Sequence, residues 1–270
     1  MRFAQGRRRV LFMSLRNGQG LVLAVKPFGE RDALVELLCA ERGRMRGLVK
    51  GGRGTRGNVQ ATLQPFNGVG FEHFRRLEGQ LGTLNVELVK SRAHVWMGVS
   101  AGAFVVPYLS ELLAGLLPEE HPYEGLHARI VKLLESACSW RDLIAFELWL
   151  LDVVGYGLRL RPEEGVVGEG SGAAEWAYVS PASGRVVDKA SAHGYEARLL
   201  PLPMSLSGPD CNEVDDFAMA WRLSGYFIDK ALHGGTLASR GRLGVYYTKV
   251  IGLQDCRIKE EKEVYDALAA

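Results

Sequence analysis

The chain has 270 residues, 47% hydrophobic and 24% charged, with a formal net charge of +2. That balance is ordinary for a soluble globular protein. It is long for one core and comfortable for two or three modules. No apolar run approaches the ~20 residues of a membrane span, so a membrane partner is not expected.

The charge is unevenly spread. Residues 1–90 hold 16 Lys and Arg against 7 Asp and Glu, whereas residues 91–270 hold 17 against 24. Such a split suggests a nucleic-acid-facing domain joined to something that faces elsewhere.

The N-terminus imitates a signal peptide, with Arg7 to Arg9 followed by the apolar run Val10 to Leu15. That run is shorter than the ~7–15 residues of a working signal and is ended by Arg16, with no small-residue cleavage site after it. Residues 1–19 are expected to be a flexible extension. Cys39, Cys138, Cys211 and Cys256 are far apart and form no CxxC pair. They read as buried free thiols in a reducing compartment, so a cytoplasmic protein is expected.

Residues 20–91 read as β-rich. Strands are predicted at Gly20 to Phe28, Ala33 to Gly43, Arg44 to Lys50, Pro65 to Phe74 and Gly82 to Val89. Five short strands, with a longer glycine-rich connection after the third, suit a small antiparallel barrel, and an OB-fold leads.

The stretch Gly43 to Gly57 is the most informative. Its first part alternates, with Met45, Gly47 and Val49 on one face and Arg44, Arg46 and Leu48 on the other. Gly51, Gly52, Gly54 and Gly57 make the second part neither strand nor helix. Arg44, Arg46, Lys50, Arg53 and Arg56, with no acidic residue among them, can fork onto the phosphates of an irregular polyanion. Arg75 and Arg76 are further candidate contacts to such a polyanion.

From Arg92 the period becomes helical, giving a helical domain over 92–160. Pro107 within Ala101 to Leu117 predicts a kink or a fresh start. Leu126, Ile130, Leu133 and Ala137 form one stripe. Ser139 with Asp142 resembles a capping box, opening a helix that Gly155 and Gly157 stop. Residues 161–208 turn irregular, with short β-like pieces such as Trp176 to Ser180. Within 209–270, a last helix is predicted near Val214 to Leu232, with a charged, frayed tail beyond Leu253.

Several motifs tempt. Gly52, Gly54 and Gly57 spell GxGxxG, but Pro65 follows too soon for the helix a dinucleotide site needs. Gly98, Ser100 and Gly102 spell GxSxG, with Asp152 and His193 or His233 following. This is the alternative reading, a serine hydrolase of α/β type. Arg92, His94 and Trp96 precede Ser100 where an elbow requires a buried strand. Asp210, Asn212 and Asp215 only loosely match a calcium loop. No catalytic constellation is found, so a binding protein without a cofactor is expected rather than an enzyme.

The order of short motifs is more specific. GxVLxVxPxGE (Gly20 to Glu30), ERGRxxGLVKGGR (Glu41 to Arg53) and LQPFN (Leu63 to Asn67) come first. YLSELL (Tyr108 to Leu113), FELWLLxxxGYGL (Phe146 to Leu158), YVSPxSGRVV (Tyr178 to Val187), LLPLP (Leu199 to Pro203) and HGGTLASR (His233 to Arg240) follow. In this order they resemble the RecO family of recombination mediators, and YVSPxSGR with LLPLP resembles its alphaproteobacterial branch.

The resemblance implies an α+β architecture: an N-terminal OB-fold barrel, a helical domain and a zinc-finger-like insertion, here over 161–208. It implies binding of single- and double-stranded DNA and annealing of complementary strands. It also implies work with RecR to load recombinase onto DNA coated by single-stranded DNA-binding protein, whose acidic C-terminal tail is a partner. Leu126, Ile130, Arg141 and Leu148 are the tail-binding residues it suggests, Arg141 standing in for a basic residue usual just before the FEL motif.

Two features depart from the pattern. The insertion lacks cysteines, so no metal is expected there, and Trp176, Tyr178 and Val187 are expected to hold its shape. Ile144 and Ala145 occupy the positions where that basic residue usually lies.

Overall fold

The computed structural model describes residues 14–54, 58–77, 80–98, 100–136, 139–160, 176–203, 206 and 213–252. The expectations concerning residues 1–13, Arg56, Gly57, Ala137, Cys138, Asp210, Cys211, Asn212, Cys256 and the charged tail lie outside the described residues. The chain forms two compact units. One is the chain up to Val106 together with Leu117–His127, and the other is Pro107–Leu116 together with the chain from Ala128 onward.

The first unit is built on five strands: β1 (Ser14–Phe28), β2 (Asp32–Cys39), β3 (Gly43–Val49), β4 (Gly68–Arg75) and β5 (Gly82–Lys90). A one-turn helix α1 (Val59–Thr62) lies between β3 and β4. The strands close into a barrel of order β1-β2-β3-β5-β4, an OB-type barrel as the spacing of the strands predicts.

β1 starts at Ser14 rather than Gly20. It pairs with β4 over Ser14–Leu21 and with β2 over Gly20–Phe28. The ladder shifts register between Val22 and Ala24, and such a bulge bends a strand from one neighbour to the next. The polar run Asn17, Gly18, Gln19 hides this first half from a reading of hydrophobic alternation.

Val22, Val35, Leu37, Met45, Val69, Phe71 and Leu84 fill the barrel. His73 is fully buried among them, and neither of its ring nitrogens has a hydrogen-bond partner. A Cβ at Gly82 would lie 2.2 Å from its Nε2, and one at Gly47 would lie 3.3 Å away. The imidazole thus fills the space those glycines leave.

Asn67 of the LQPFN motif ties the barrel's connections together. Its Nδ2 donates to the Ala61 carbonyl at 2.8 Å, and its Oδ1 accepts from the amides of Arg92 (2.8 Å) and Ala93 (3.1 Å). Beyond β5, α2 (Ala93–Met97) and α3 (Gly102–Leu116) follow, and α3 runs on through Pro107. Pro107 is exposed. The expected fresh start is absent because a helix tolerates one lost backbone bond, at ~3 kcal/mol, when packing on both sides holds it.

The second unit contains α4 (Leu126–Glu135) beyond Ala128, α5 (Trp140–Val153), α6 (Lys189–Ala192), α7 (Glu213–Ala231) and α8 (238–252). Ser139 caps α5, accepting from the Asp142 amide at 3.1 Å, as the capping box predicts. α8 is not foreseen in the sequence, where Gly241 and Gly244 interrupt the helical signal. Gly244 is needed there, since a Cβ would lie 2.8 Å from Trp221 Nε1. β6 (Trp176–Val179), β7 (Val186–Asp188) and β8 (Leu200–Pro201) make a small antiparallel sheet of order β7-β6-β8. Val179, Leu200 and Leu202 are its buried residues, whereas Trp176, Tyr178 and Val187 are only half-buried. The expected trio points along the more open part of a sheet too narrow to cover both faces.

The buried imidazole makes the barrel acid-sensitive. Burial first, then Arg75 and Arg16, lower the His73 pKa from 6.5 to about 4. The folded state therefore keeps His73 neutral while the unfolded chain takes up a proton below pH 6.5. Its contribution is complete above pH 6.5 and is lost as pH falls toward 4, at about 1.4 kcal/mol per pH unit. Urea midpoints at pH 7.5 and 5.0 should separate clearly for wild type and much less for His73→Gln; equal separations would exclude this origin.

Candidate nucleic-acid interface

β3 alternates as expected, with Met45 and Val49 inside the barrel and Arg44, Arg46 and Leu48 outside. The glycine-rich loop that follows is pinned at its start. The Gly51 amide donates to Asp32 Oδ1 at 2.8 Å, and the Arg53 amide donates to the Arg31 carbonyl at 3.0 Å. Arg53 Nη1 donates to the Gly29 carbonyl at 3.1 Å. Gly51 has φ +66°, a conformation for which glycine has no Cβ penalty. Residues 50–54 therefore sit against the β1–β2 turn, and Arg31, Lys50 and Arg53 are all exposed. In an OB-type barrel the β2–β3 face and the β1–β2 and β4–β5 loops are the usual ligand platform. Arg76 begins the β4–β5 loop and is also exposed.

Two of the expected contacts are not available. The Arg44 side chain is 12% exposed. Its Nη1 lies 3.0 Å from Glu36 Oε2, and its Nε donates to the Leu117 carbonyl at 2.9 Å. Arg75 is 8% exposed and pairs with Glu120. A guanidinium taken out of water must be paired, so Arg44 and Arg75 hold the fold rather than face a ligand.

Their partners come from the stretch Leu117–His127, distant in sequence. Glu119 bridges to Arg44 in parallel, and the Glu120 amide donates to the Arg44 carbonyl at 2.7 Å. This strap occupies the early part of β3, where β5 does not reach, because β5 pairs only with Gly47 and Leu48. Gly43, at φ +73°, admits it; a Cβ there would lie 2.0 Å from the His121 carbonyl oxygen. Glu119 also pairs with Arg46, and Glu120 with Arg16 at 3.0 Å. Burial raises the Glu120 pKa, but Arg16 and Arg75 outweigh it and hold the carboxyl below its ordinary value.

In the second unit, residues from four stretches converge on one buried network. Tyr108 donates its hydroxyl to Glu147. Arg240 Nη2 lies 3.1 Å from Glu147 Oε2 and 2.9 Å from Ser224 Oγ, with the guanidinium 3.7 Å above the Trp221 ring. Gly225 leaves room for it, since a Cβ there would lie 2.4 Å from Arg240 Nη1. Glu111 accepts from the amides of Ala238 and Ser239 at the start of α8.

Of the suggested tail-binding residues, Leu126 and Ile130 are buried at 2% and 0% exposure. They belong to core packing, because an amphipathic stripe is far more often a buried face than an open pocket. Leu148 is half-buried, and the exposed Arg141 stacks over the Trp140 ring at 4.4 Å. A groove of about 510 Å³ opens instead between α7 and α8. Phe217, Trp221 and Val245 line it, with Arg222 and Lys249 exposed at its rim.

Among the described residues, the GxSxG and GxGxxG motifs lack the surroundings their chemistry requires. Ser100 is exposed, and the helix α2, not a buried strand, precedes it, so the elbow's strand–turn–helix context is missing. Gly52 and Gly54 lie in a turn followed by only the single turn of α1. Among the described residues, no group of three or more His, Cys, Asp or Glu is placed to hold a metal. Cys39 is free and buried. No described helix is long and apolar enough to cross a membrane.

Comparison with known proteins agrees with this architecture. The family description "Recombination protein O N terminal" matches residues 13–92, and "Recombination protein O C terminal" matches residues 103–240. A DNA repair protein RecO of Bradyrhizobium diazoefficiens is 38% identical over 217 residues, 78% of this chain and 84% of the relative. Those of Afipia carboxidovorans and Ruegeria sp. are each 34% identical, over 77% and 79% of this chain and 84% and 88% of the relatives.

The division between enclosed and exposed cations is measurable. Arg44→Ala leaves Glu36 buried without its closest partner and should cost about 3 kcal/mol of stability. Lys50→Ala, at an exposed turn, should change stability by less than about 0.5 kcal/mol. Equal denaturation midpoints for the two variants would place Arg44 outside the fold's support.

Proposed function

The chain belongs to the RecO family, and from that membership and from the charge on its barrel we propose that it acts by binding nucleic-acid backbones. A role in recombinational DNA repair follows from the family. The finer reading is a mediator that binds single- and double-stranded DNA and anneals complementary strands. With RecR, it helps load recombinase onto DNA coated by single-stranded DNA-binding protein. No step of this role calls for a catalytic side chain, and the context of Ser100 gives the hydrolase alternative no support.

The observation that carries the reading is the exposed set Arg31, Lys50 and Arg53 on two turns locked together beside the β2–β3 face. These groups meet phosphate as charges and forks, and nothing in their placement favours base edges, so all sequences should bind alike. Each phosphate contact on a single strand contributes ~0.7 to the slope of log affinity against log salt. Lys50→Ala with Arg53→Ala should therefore lower that slope by about 1.4 and weaken annealing, while loss of the Arg53 bond to the Gly29 carbonyl costs no more than about 1.5 kcal/mol of stability. A double variant with wild-type affinity and slope would remove the loop from the DNA path and direct attention to Arg76.

The partner tail, acidic and apolar, requires an apolar slot beside a cation. We place it in the groove between α7 and α8 because Trp221 and the exposed Val245 supply the slot and Arg222 and Lys249 the charge. Arg222→Glu should weaken binding of a tail peptide by about tenfold or more and spare DNA binding, whereas Arg141→Glu should change neither. The reverse result would return the tail to α5.

A further inference from the structure

The arginines near the start of β3 form a charge cluster that the loop does not need. Arg16, Lys26, Arg44, Arg46 and Arg75 share three carboxylates, Glu36, Glu119 and Glu120. The cluster thus keeps a positive surplus. Arg44 and Arg75 are enclosed, but the Arg46 side chain is 44% exposed and that of Glu119 33%. Their pair stands at the solvent boundary, where an ion pair is worth only about 0–1 kcal/mol.

A phosphodiester carries the same charge as the Glu119 carboxylate and can engage a guanidinium through the same fork. The strap itself is fixed, by the Glu120 amide on the Arg44 carbonyl and by Arg44 Nε on the Leu117 carbonyl. For Arg46 to change partner, only the Glu119 side chain has to turn, giving up a looser contact with Arg44 Nη2 at 3.8 Å, while Glu36 keeps Arg44 paired. Lys50 follows directly on the end of β3, about 13 Å from Arg46 at the rise of an extended chain. Along a stacked duplex strand, rising ~3.4 Å per nucleotide, that distance is about four nucleotides, and an extended single strand spans it in fewer.

We propose that Arg46 and Glu119 form a gated phosphate subsite on the barrel. Glu119 holds Arg46 when no nucleic acid is bound and yields it to a backbone phosphate once a strand seated at residues 50–54 runs along β3. The subsite rests on the DNA-binding reading above. Glu119 restrains affinity in it and keeps the bare barrel from presenting an unpaired arginine to other anions.

The test is titration of an oligothymidylate at several salt concentrations with wild type, Glu119→Gln, Arg46→Gln and the double variant. Glu119→Gln should bind about two- to fivefold more tightly at low salt, because no ion pair has to break, with a similar slope, because Arg46 meets a phosphate in both complexes. In the double variant that gain should vanish. Arg46→Gln alone should bind more weakly than wild type, which keeps the subsite testable even if Glu119→Gln folds poorly. Wild-type affinity in Glu119→Gln, or a gain that survives in the double variant, overturns the subsite. If wild type binds and loses slope on Lys50→Ala with Arg53→Ala while Glu119→Gln changes nothing, the subsite alone falls. If no variant binds the oligonucleotide at low salt, the DNA-binding reading falls with it.

Discussion

A guanidinium withdrawn from water has to be matched by partners, and Arg44 imposes that requirement on the base of the barrel. It takes Glu36 from β2 and the carbonyl of Leu117 from the strap. Without the strap, the early part of β3 would expose a strand edge, because β5 reaches only Gly47 and Leu48. Gly43 and the positive φ of Glu120 both serve this arrangement. The first lets the strap lie close; the second carries a carboxylate onto Arg16 and Arg75. One buried charge thus fixes the closure of the barrel and the sorting of its cations. Those nearest the strap are neutralised in place, and those on the loop beyond β3 remain in water.

The second unit depends on the same rule. Glu147 is almost completely buried and is matched by Tyr108 and Arg240. A mispaired arrangement of α3, α5, α7 and α8 would strand that carboxylate in a low-dielectric interior, at a cost of several kcal/mol. The network therefore specifies which helices meet more than it adds to stability. Trp221 takes part twice, as the ring beneath Arg240 and as the floor of the groove between α7 and α8. Binding in that groove would press on the same ring that orients the buried arginine.

The strands of the barrel were legible because alternation is local. Met45 and Val49 point inward and Arg46 outward, as their spacing requires. The first half of β1 was not legible, since Asn17, Gly18 and Gln19 carry no hydrophobic pattern and become a strand only by pairing with β4. α8 was hidden for a related reason, its glycines being present to accommodate Trp221 and not to end a helix. The candidate site was half legible. Sequence identifies a cationic stretch, but it cannot tell that Glu119 and Glu120 return from far along the chain to neutralise part of it. Leu126 and Ile130 show the same limit, because a stripe at helical spacing looks identical whether it faces a core or a ligand. Most of the motifs that mark the family proved to be structural: Gly43, Asn67, Tyr108, Glu147 and Arg240 all hold backbone or buried charge in place.

The central claim is that the barrel's cations are partitioned between support of the fold and contact with nucleic acid. Chemical footprinting of lysine and arginine side chains, with and without saturating single-stranded DNA, tests it most directly. The account predicts that Arg44 and Arg75 resist modification in both states, while Lys50 and Arg53 react in the free protein and are protected by DNA. Lys50 and Arg53 remaining reactive in the saturated complex, or Arg44 and Arg75 reacting freely in its absence, would contradict it.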